Sequence, residues 1–459
     1  MNGSVSLLVV TAVLIAGLLA PALALFFAGI PSRRNSLLIA AVISGSLVLA
    51  ALDWLALGSP LDIAVFQGSL VSVAAAVILA VGLRTGPVRG LLAFLVPWIV
   101  LVLVPVGYSV FDVVHGPLAA SLGTLDFGGA GVIGISTGTA AIAIALVSRS
   151  LGNAVGGWPR RGPVLFAAVA LAALVGWIAV SAGSELVLDV TTVQLVSNEL
   201  LAALAGVVGW IAAQVVNVHR ANVAGIVAGI VAGSVVVLPA SPWLEPGSVA
   251  VLGIAAGILG HVTAVSARRT GLGHWATVVG VLLVPSMLGL VSVGILARGT
   301  GLIFSGHADL LSGQLGGLVT VVGYSLVVSL FIAVIVDRLL RLTGSSRLVD
   351  ETIARLYAAY NARDTVHVLD ALHPAVEWPN LAEGTYMSGK DAVLAYWTRQ
   401  WTEFDPSVTP ITSTRLKGGR IAVQVHQVLR DLDGVVLREQ TVTHTFRERD
   451  GLLDRMEIS

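Results

Sequence analysis

"DFGGAGVIGIS", residues 126–136, sets a carboxylate ahead of a run of glycine and aliphatic residues. The apolar stretch continues to about residue 148, so the segment reads as a membrane-crossing helix with a charge at its head. A side-chain oxygen before a helix can accept from the unsatisfied N–H groups of its first turn. Asp126 reads as such a cap, or as part of a cation-attracting site. The glycines let neighbouring helices approach closely.

Composition extends this reading to most of the chain. Of 459 residues, 56% are hydrophobic and 11% are charged, against about 25% charged in soluble globular proteins. Residues 1–346 hold 13 Arg, no Lys and 10 acidic residues, whereas residues 347–459 hold 13 basic and 16 acidic residues. The contrast predicts a membrane domain followed by a soluble one. The net charge of zero sums two unlike regions and carries no information about partners. Cysteine is absent, which excludes disulfides, thiol catalysis and thiolate metal sites.

Runs of about 20 apolar residues predict eleven spans, at roughly 5–28, 36–57, 63–83, 90–110, 128–148, 163–182, 193–216, 221–240, 247–266, 275–297 and 313–340. The first lacks a basic leading segment and is too long for a cleavable signal. Ten arginines fall in loops on one side: Arg33, Arg34, Arg84, Arg89, Arg149, Arg160, Arg161, Arg220, Arg268 and Arg269. The opposite loops hold Arg298 with Asp62, Asp112, Glu185, Glu245 and Asp309. By the positive-inside rule the N-terminus is outside and the C-terminal domain is cytoplasmic, which requires an odd number of spans. Small residues recur three or four apart in "NVAGIVAGIVAGS" (222–234) and "GIAAGILGH" (253–261), as suits a tightly packed bundle.

Five stretches in order resemble the ammonium transporter family, which includes the Rhesus proteins. They are "PALALFFAGIPSRRNSLL" (21–38), "VFQGSLVSVAAAVILAVGLRTG" (65–86), "AASLGTLDFGGAGVIGI" (119–135), "GWIAVSAGSE" (176–185) and "GIVAGIVAGSVVVLPASPWLEPGSVAVLGIAAGILG" (225–260). The resemblance implies an all-α polytopic bundle of eleven transmembrane helices, built as an inverted repeat of two five-helix halves plus a final long helix. It also implies a homotrimer with one narrow pore per subunit. Such pores recruit ammonium outside, pass it by an aromatic gate, and carry ammonia or its proton along two histidines, since an imidazole both donates and accepts near neutrality.

The matching positions depart from that pattern. Gly134 and Leu282 stand where the resemblance implies the two pore histidines, and Leu70 and Val180 where it implies gate phenylalanines. The outer tryptophan position falls near Val114. Asp126, Ser184 and Asn198 remain as matching pore-path residues. Glu199 is an addition inside span 7, and an intramembrane carboxylate is a candidate functional group. The alternative places it near the outer end of the span, in reach of water or an arginine. Ser136, Thr137 and Thr139 are expected to bond back to their own helix. His115, His261, His274 and His307 are expected at the surface.

Residues 347–459 begin with an amphipathic helix (348–364) on which Ile353, Leu356, Tyr357 and Tyr360 share a face. A short strand at 375–380 and a helix at 389–404 follow, then three strands with turns at Asp433-Gly434 and Asp450-Gly451. "YAAYNARD" (357–364), "LHPAVEWPN" (372–380), "GKDAVLAYW" (389–397) and "HTFRERDGLLDRMEI" (444–458) resemble the NTF2-like, or SnoaL-like, domain. That resemblance implies a cone-shaped α+β fold with one apolar pocket for an unidentified small apolar ligand, and a tendency to dimerise that conflicts with a trimeric membrane part. Pocket candidates are Trp378, Tyr396, Trp397, His426 and His444, with His373 and Asp370 nearby in sequence. His426 and His444 could instead be cross-strand partners on the exposed face.

The expected domains are therefore 1–343 in the membrane, a linker at 344–350 and a cytoplasmic domain at 351–459. The expected function is a channel of the cytoplasmic membrane for ammonium, ammonia or a similar small solute, with the soluble domain as regulator. A non-conducting sensor and a membrane-tethered enzyme are the alternatives. No catalytic residue, cofactor, metal or nucleic acid is implied.

Overall fold

The computed structural model describes residues 2–29, 33–57, 61–83, 88–147, 163–342, 351–380, 384–416, 420–449 and 452–459. Arg84, Arg149, Arg160, Arg161, the linker 344–350 and the turn at Asp450-Gly451 lie outside them. Contacts divide the chain into two units, one ending at Val336 and one running from Asp337 to Ser459.

The first unit is a helical bundle. Among the described residues, eight helices are long and apolar enough to cross a membrane: Leu7–Ala28, Leu61–Gly82, Val88–Phe111, Val164–Ser184, Val190–Asn217, Pro246–Thr270, Trp275–Leu296 and Asp309–Leu339. Three shorter apolar helices, Asn35–Leu47, Gly131–Val147 and Val223–Val237, fall where spans 2, 5 and 8 are expected. The helices are numbered here as spans 1–11 in chain order. Among the described residues, every expected span has its apolar helix.

The bundle interior is close-packed, with Trp98, Trp177, Ile78, Leu79, Ile133 and Leu195 fully buried. Small residues set the helix spacing. A Cβ at Gly233 of span 8 would lie 2.1 Å from the Ala202 carbonyl oxygen of span 7. One at Gly257 of span 9 would lie 2.3 Å from the Gly206 oxygen, and one at Gly209 of span 7 would lie 2.1 Å from the Ile254 oxygen. Spans 7, 8 and 9 thus meet backbone to backbone, and the repeated glycines are the reason they can. Apolar packing alone drives little association in lipid, so close dispersion contact carries more of the stability there.

The second unit is an α+β domain. Its helices are α1 (Glu351–Asn361), α2 (His367–Asp370) and α3 (Lys390–Glu403). Its strands are β1 (Leu372–Asn380), β2 (Thr385–Ser388), β3 (Asp405–Arg415), β4 (Arg420–Arg430), β5 (Val436–Arg449) and β6 (Leu452–Ile458). They form one sheet in the order β2-β1-β6-β5-β4-β3, antiparallel except for the β1–β6 pair. Ile353, Leu356, Tyr357 and Tyr360 of α1 are all buried against it. The turn at Gly434 adopts φ +89°, a conformation open to glycine. Strands β2 and β3 and helix α2 go beyond the sequence reading. Pro406 and Pro410 within "DPSVTPITSTR" argue against a strand in a sheet interior, but β3 is an edge strand, where a missing N–H is tolerated.

Candidate functional site

In the membrane unit the candidate site begins at Asp126. Its carboxylate is buried and accepts from the backbone N–H of Ala130 and of Gly131, each at 2.7 Å. Two orphan donors at the head of span 5 are thereby satisfied. The turn that follows, Gly131–Ile135, is π-helical, and so is Val279–Leu283 of span 10. The two π-turns touch. Gly134 lies in one and Leu282 in the other, and such turns recur at functional positions in helices.

These turns meet without a gap. A Cβ added at Gly134 would lie 1.7 Å from Ser286 Oγ, 2.8 Å from Ser286 Cβ and 3.0 Å from the Leu282 carbonyl oxygen. A methyl group has no space there, and an imidazole has less. Leu282, Leu70 and Val180 are likewise buried. One turn on, a Cβ at Gly138 would lie 2.4 Å from Leu283 Cβ. Where the resemblance puts two imidazoles, span 10 therefore supplies a serine and aliphatic side chains. Ser286 sits in the part of span 10 where small residues are common, and only the fold reveals it as the partner of Gly134.

The hydroxyls beside this line divide. Ser136 Oγ donates to the Gly131 carbonyl at 3.1 Å and lies 3.3 Å from Ser325 Oγ. Thr139 bonds back to Ile135 at 2.9 Å. Thr137 departs from the expected back-bonding: its Oγ1 is buried without a hydrogen-bond partner among the described residues, as is Ser286 Oγ.

Three further candidates lie on spans 6 and 7. Ser184 Oγ donates to the Val180 carbonyl at 2.8 Å, within its own helix. Asn198 Nδ2 donates to the Ser241 carbonyl at 2.9 Å and ties span 7 to the connection between spans 8 and 9. Glu199 is fully buried, and its Oε2 accepts from Ser181 Oγ of span 6 at 3.0 Å. The alternative of an outer-end position reaching water or an arginine is corrected. The helix starts at Val190, fixed by a capping box at Asp189 and Thr192, and Glu199 stands about 14 Å further along its axis. Val114, His115 and His307 are exposed, as befits loop residues. His261 is not at the surface: it is buried edge-on to Trp210, ring centroids 5.4 Å apart. Its place on span 9 opposite the aromatic ring of span 7 removes it from the basic loop. His274 is half-buried.

The soluble unit holds a cavity of about 190 Å³. Tyr357, Trp378, Tyr396, Trp397 and His444 line it, together with Gln427, Arg438 and Gln440. Trp378 and Trp397 meet edge to face, 4.9 Å between centroids, and form an aromatic wall. At the polar corner Tyr357 Oη lies 2.7 Å from His444 Nδ1, and Gln427 Nε2 lies 2.9 Å from His444 Nε2. Gln440 Nε2 donates to Gln427 Oε1 at 3.2 Å. Burial pushes the His444 imidazole down to about 4, so it is neutral at pH 7, and pushes the Tyr357 hydroxyl well above its ordinary value.

His426 is corrected. Its Nε2 pairs with Glu439 at 2.9 Å, and it does not line the cavity. In the β4–β5 register Val423 faces His444, so the inward set on β4 is Val423, Val425 and Gln427, and His426 points to the other face. His373 and Asp370 are also absent from the lining; His373 Nδ1 accepts from the Ala375 N–H. Gln427, Arg438 and Gln440 were not among the sequence candidates. The signal was the polar Gln427 continuing the alternation of Val423 and Val425.

The chain matches the model of the Ammonium Transporter Family over residues 8–350 and that of the SnoaL-like domain over 353–456. It is 26% identical over 371 residues to ammonium transporter Amt1 of Archaeoglobus fulgidus, covering 72% of this chain and 91% of that one. It is 27% identical over 278 residues to an ammonium transporter of Bacillus subtilis, covering 53% and 68%. Among solved structures, Mep2 of Candida albicans superposes with a TM-score of 0.66 at 20% identity, over 77% of this chain and 87% of that one. A structure described as a sensor Amt protein superposes with a TM-score of 0.63 at 20% identity, over 77% and 96%. At such identities the superpositions speak for the fold. The match across most of its length places this chain in the ammonium transporter family, with a SnoaL-like domain following the membrane bundle.

Proposed function

We propose that the chain is an integral channel of the cytoplasmic membrane that passes ammonia, or a small neutral solute like it, without a histidine-borne proton relay. The arginine-rich loops support an N-terminus outside and a cytoplasmic SnoaL-like domain. Family membership supports a homotrimer with one path per subunit. The SnoaL-like cavity, with its aromatic wall and the polar corner at His444, supports a small, mainly apolar ligand that regulates the membrane part.

The observation that carries the absence of a proton relay is the contact of Gly134 with Ser286 and Leu282. An ammonium ion on that line would meet aliphatic groups and one hydroxyl, with no titratable side chain to take its proton. Moving the charge through would carry the full cost of an unpaired ion in an apolar medium. A neutral molecule escapes that cost. The same close contact favours a second reading, a non-conducting sensor whose membrane part signals to the SnoaL-like domain.

Stopped-flow measurement of internal pH in proteoliposomes separates the two. Under an inward ammonium gradient, vesicles holding the protein are expected to alkalinise several-fold faster than empty vesicles. Equal rates contradict the channel and leave the sensor.

A further inference from the structure

Glu199 stands apart from the Gly134–Leu282 line, and its surroundings are unusual. It is fully buried between spans 6, 7 and 8, and no cation pairs with it among the described residues. Its Oε2 accepts from Ser181 Oγ at 3.0 Å. Among the described residues its Oε1 has no hydrogen-bond partner, and neither has the buried Oγ of Ser234, which faces the same carboxyl group from span 8. A carboxylate and a hydroxyl are thus both left wanting, side by side.

We propose that Glu199 is a proton-binding site inside the bundle and is held as the neutral acid. One proton on Oε1 resolves both deficits: the acid O–H donates to Ser234 Oγ, while Oε2 keeps the hydrogen bond from Ser181. An ionised carboxylate could take the Ser234 hydroxyl as a donor, but it would hold a full charge in an apolar interior with no cation beside it among the described residues, which is costly. The groups around it offer no substitute charge. Of the helices packed on span 7, spans 6 and 8 carry no ionisable side chain within their membrane segments. Span 9 carries His261, which packs on Trp210, eleven residues and so about 16 Å along span 7 from Glu199. Glu185, beyond the end of span 6, takes the Thr192 hydroxyl at 2.5 Å. Glu245 lies exposed ahead of span 9, and Arg298 bonds Gln194 at 3.3 Å, five residues from Glu199. The site binds a proton and gives the bundle a titratable group, one the Gly134–Leu282 line lacks.

Dicyclohexylcarbodiimide, a membrane-soluble probe of protonated carboxyls, tests this. The acid's proton passes to a carbodiimide nitrogen as a carboxyl oxygen bonds to the carbodiimide carbon, leaving a covalent adduct. With the full chain in lipid vesicles at pH 7, peptide mass spectrometry should find one adduct in the peptide containing Glu199. Glu199→Gln should lack the adduct and still fold, because its amide can donate one N–H to Ser234 and accept from Ser181. Repeated across a pH series, the labelling of Ser181→Ala, which removes a donor that favours the ionised form, should have its midpoint moved upward in pH. Ser234→Ala removes a second such donor and should move the midpoint the same way. An unlabelled Glu199 peptide, a labelling midpoint unchanged in both serine variants, or a Glu199→Gln chain that fails to fold overturns the proposal.

Discussion

Gly134→Ala is expected to destabilise the membrane unit by about 3 kcal/mol, and Ser286→Gly is expected to restore most of the loss. The new methyl would lie 1.7 Å from Ser286 Oγ, and both atoms sit on helices whose backbones already touch. Forcing an extra methyl into such a contact costs about 1–3 kcal/mol and more where the backbone must move. Removing the serine side chain leaves the Leu282 carbonyl oxygen at 3.0 Å as the next contact, a distance that small shifts accommodate. Ser286→Gly alone costs only a glycine's helix penalty, about 1 kcal/mol. The double variant should therefore be more stable than Gly134→Ala, a non-additivity that thermal unfolding in detergent would read directly. If Gly134→Ala unfolds at the wild-type temperature, the contact is not as drawn. For the same reason Gly134→His would not rebuild a relay; it would push span 5 off span 10.

In the soluble unit the largest expected effect is the loss of about 3 kcal/mol of stability between pH 6.5 and pH 4, traced to His444. The folded imidazole titrates near 4 because it is buried, whereas the unfolded one titrates near its ordinary 6.5. Between those values the unfolded chain binds a proton that the folded chain does not, so stability falls as pH falls and levels out below 4. The difference of about 2.5 units corresponds to about 3 kcal/mol. Hydrogen exchange of β4 and β5 in the full chain, corrected for the intrinsic rate, should show their protection falling across that window. His444→Gln should flatten the slope. A slope unchanged in the variant would assign the pH dependence to other groups.

Gly134 and His444 show where sequence reasoning reaches and where it stops. The eleven spans were legible because apolar length is a one-dimensional property, and the described helices start within a few residues of the expected ones. The cap at Asp126 was legible because it is local: the carboxylate bonds the N–H groups four and five residues on. The partner of Gly134 was not, because Ser286 is distant in sequence and the meeting of two π-turns leaves no periodic trace. Strand β3 was hidden by its prolines, which an edge position excuses. His426 and His444 looked equivalent because both stand on alternating strands. Only the register shows that one faces the cavity and the other pairs with Glu439. The aromatic lining was partly legible, since Trp378, Tyr396 and Trp397 are large apolar groups that any core would bury. The glutamines at its polar corner needed the pairing of Gln427 with Gln440.

The central claim is that this family member lacks a proton relay on its Gly134–Leu282 line. The direct measurement is current in a solid-supported membrane carrying the protein, under pulses of ammonium. Ammonia passing alone moves no net charge, so the account predicts no ammonium-dependent current above that of protein-free membranes, even where the stopped-flow assay shows flux. A robust current that grows with ammonium concentration would contradict it.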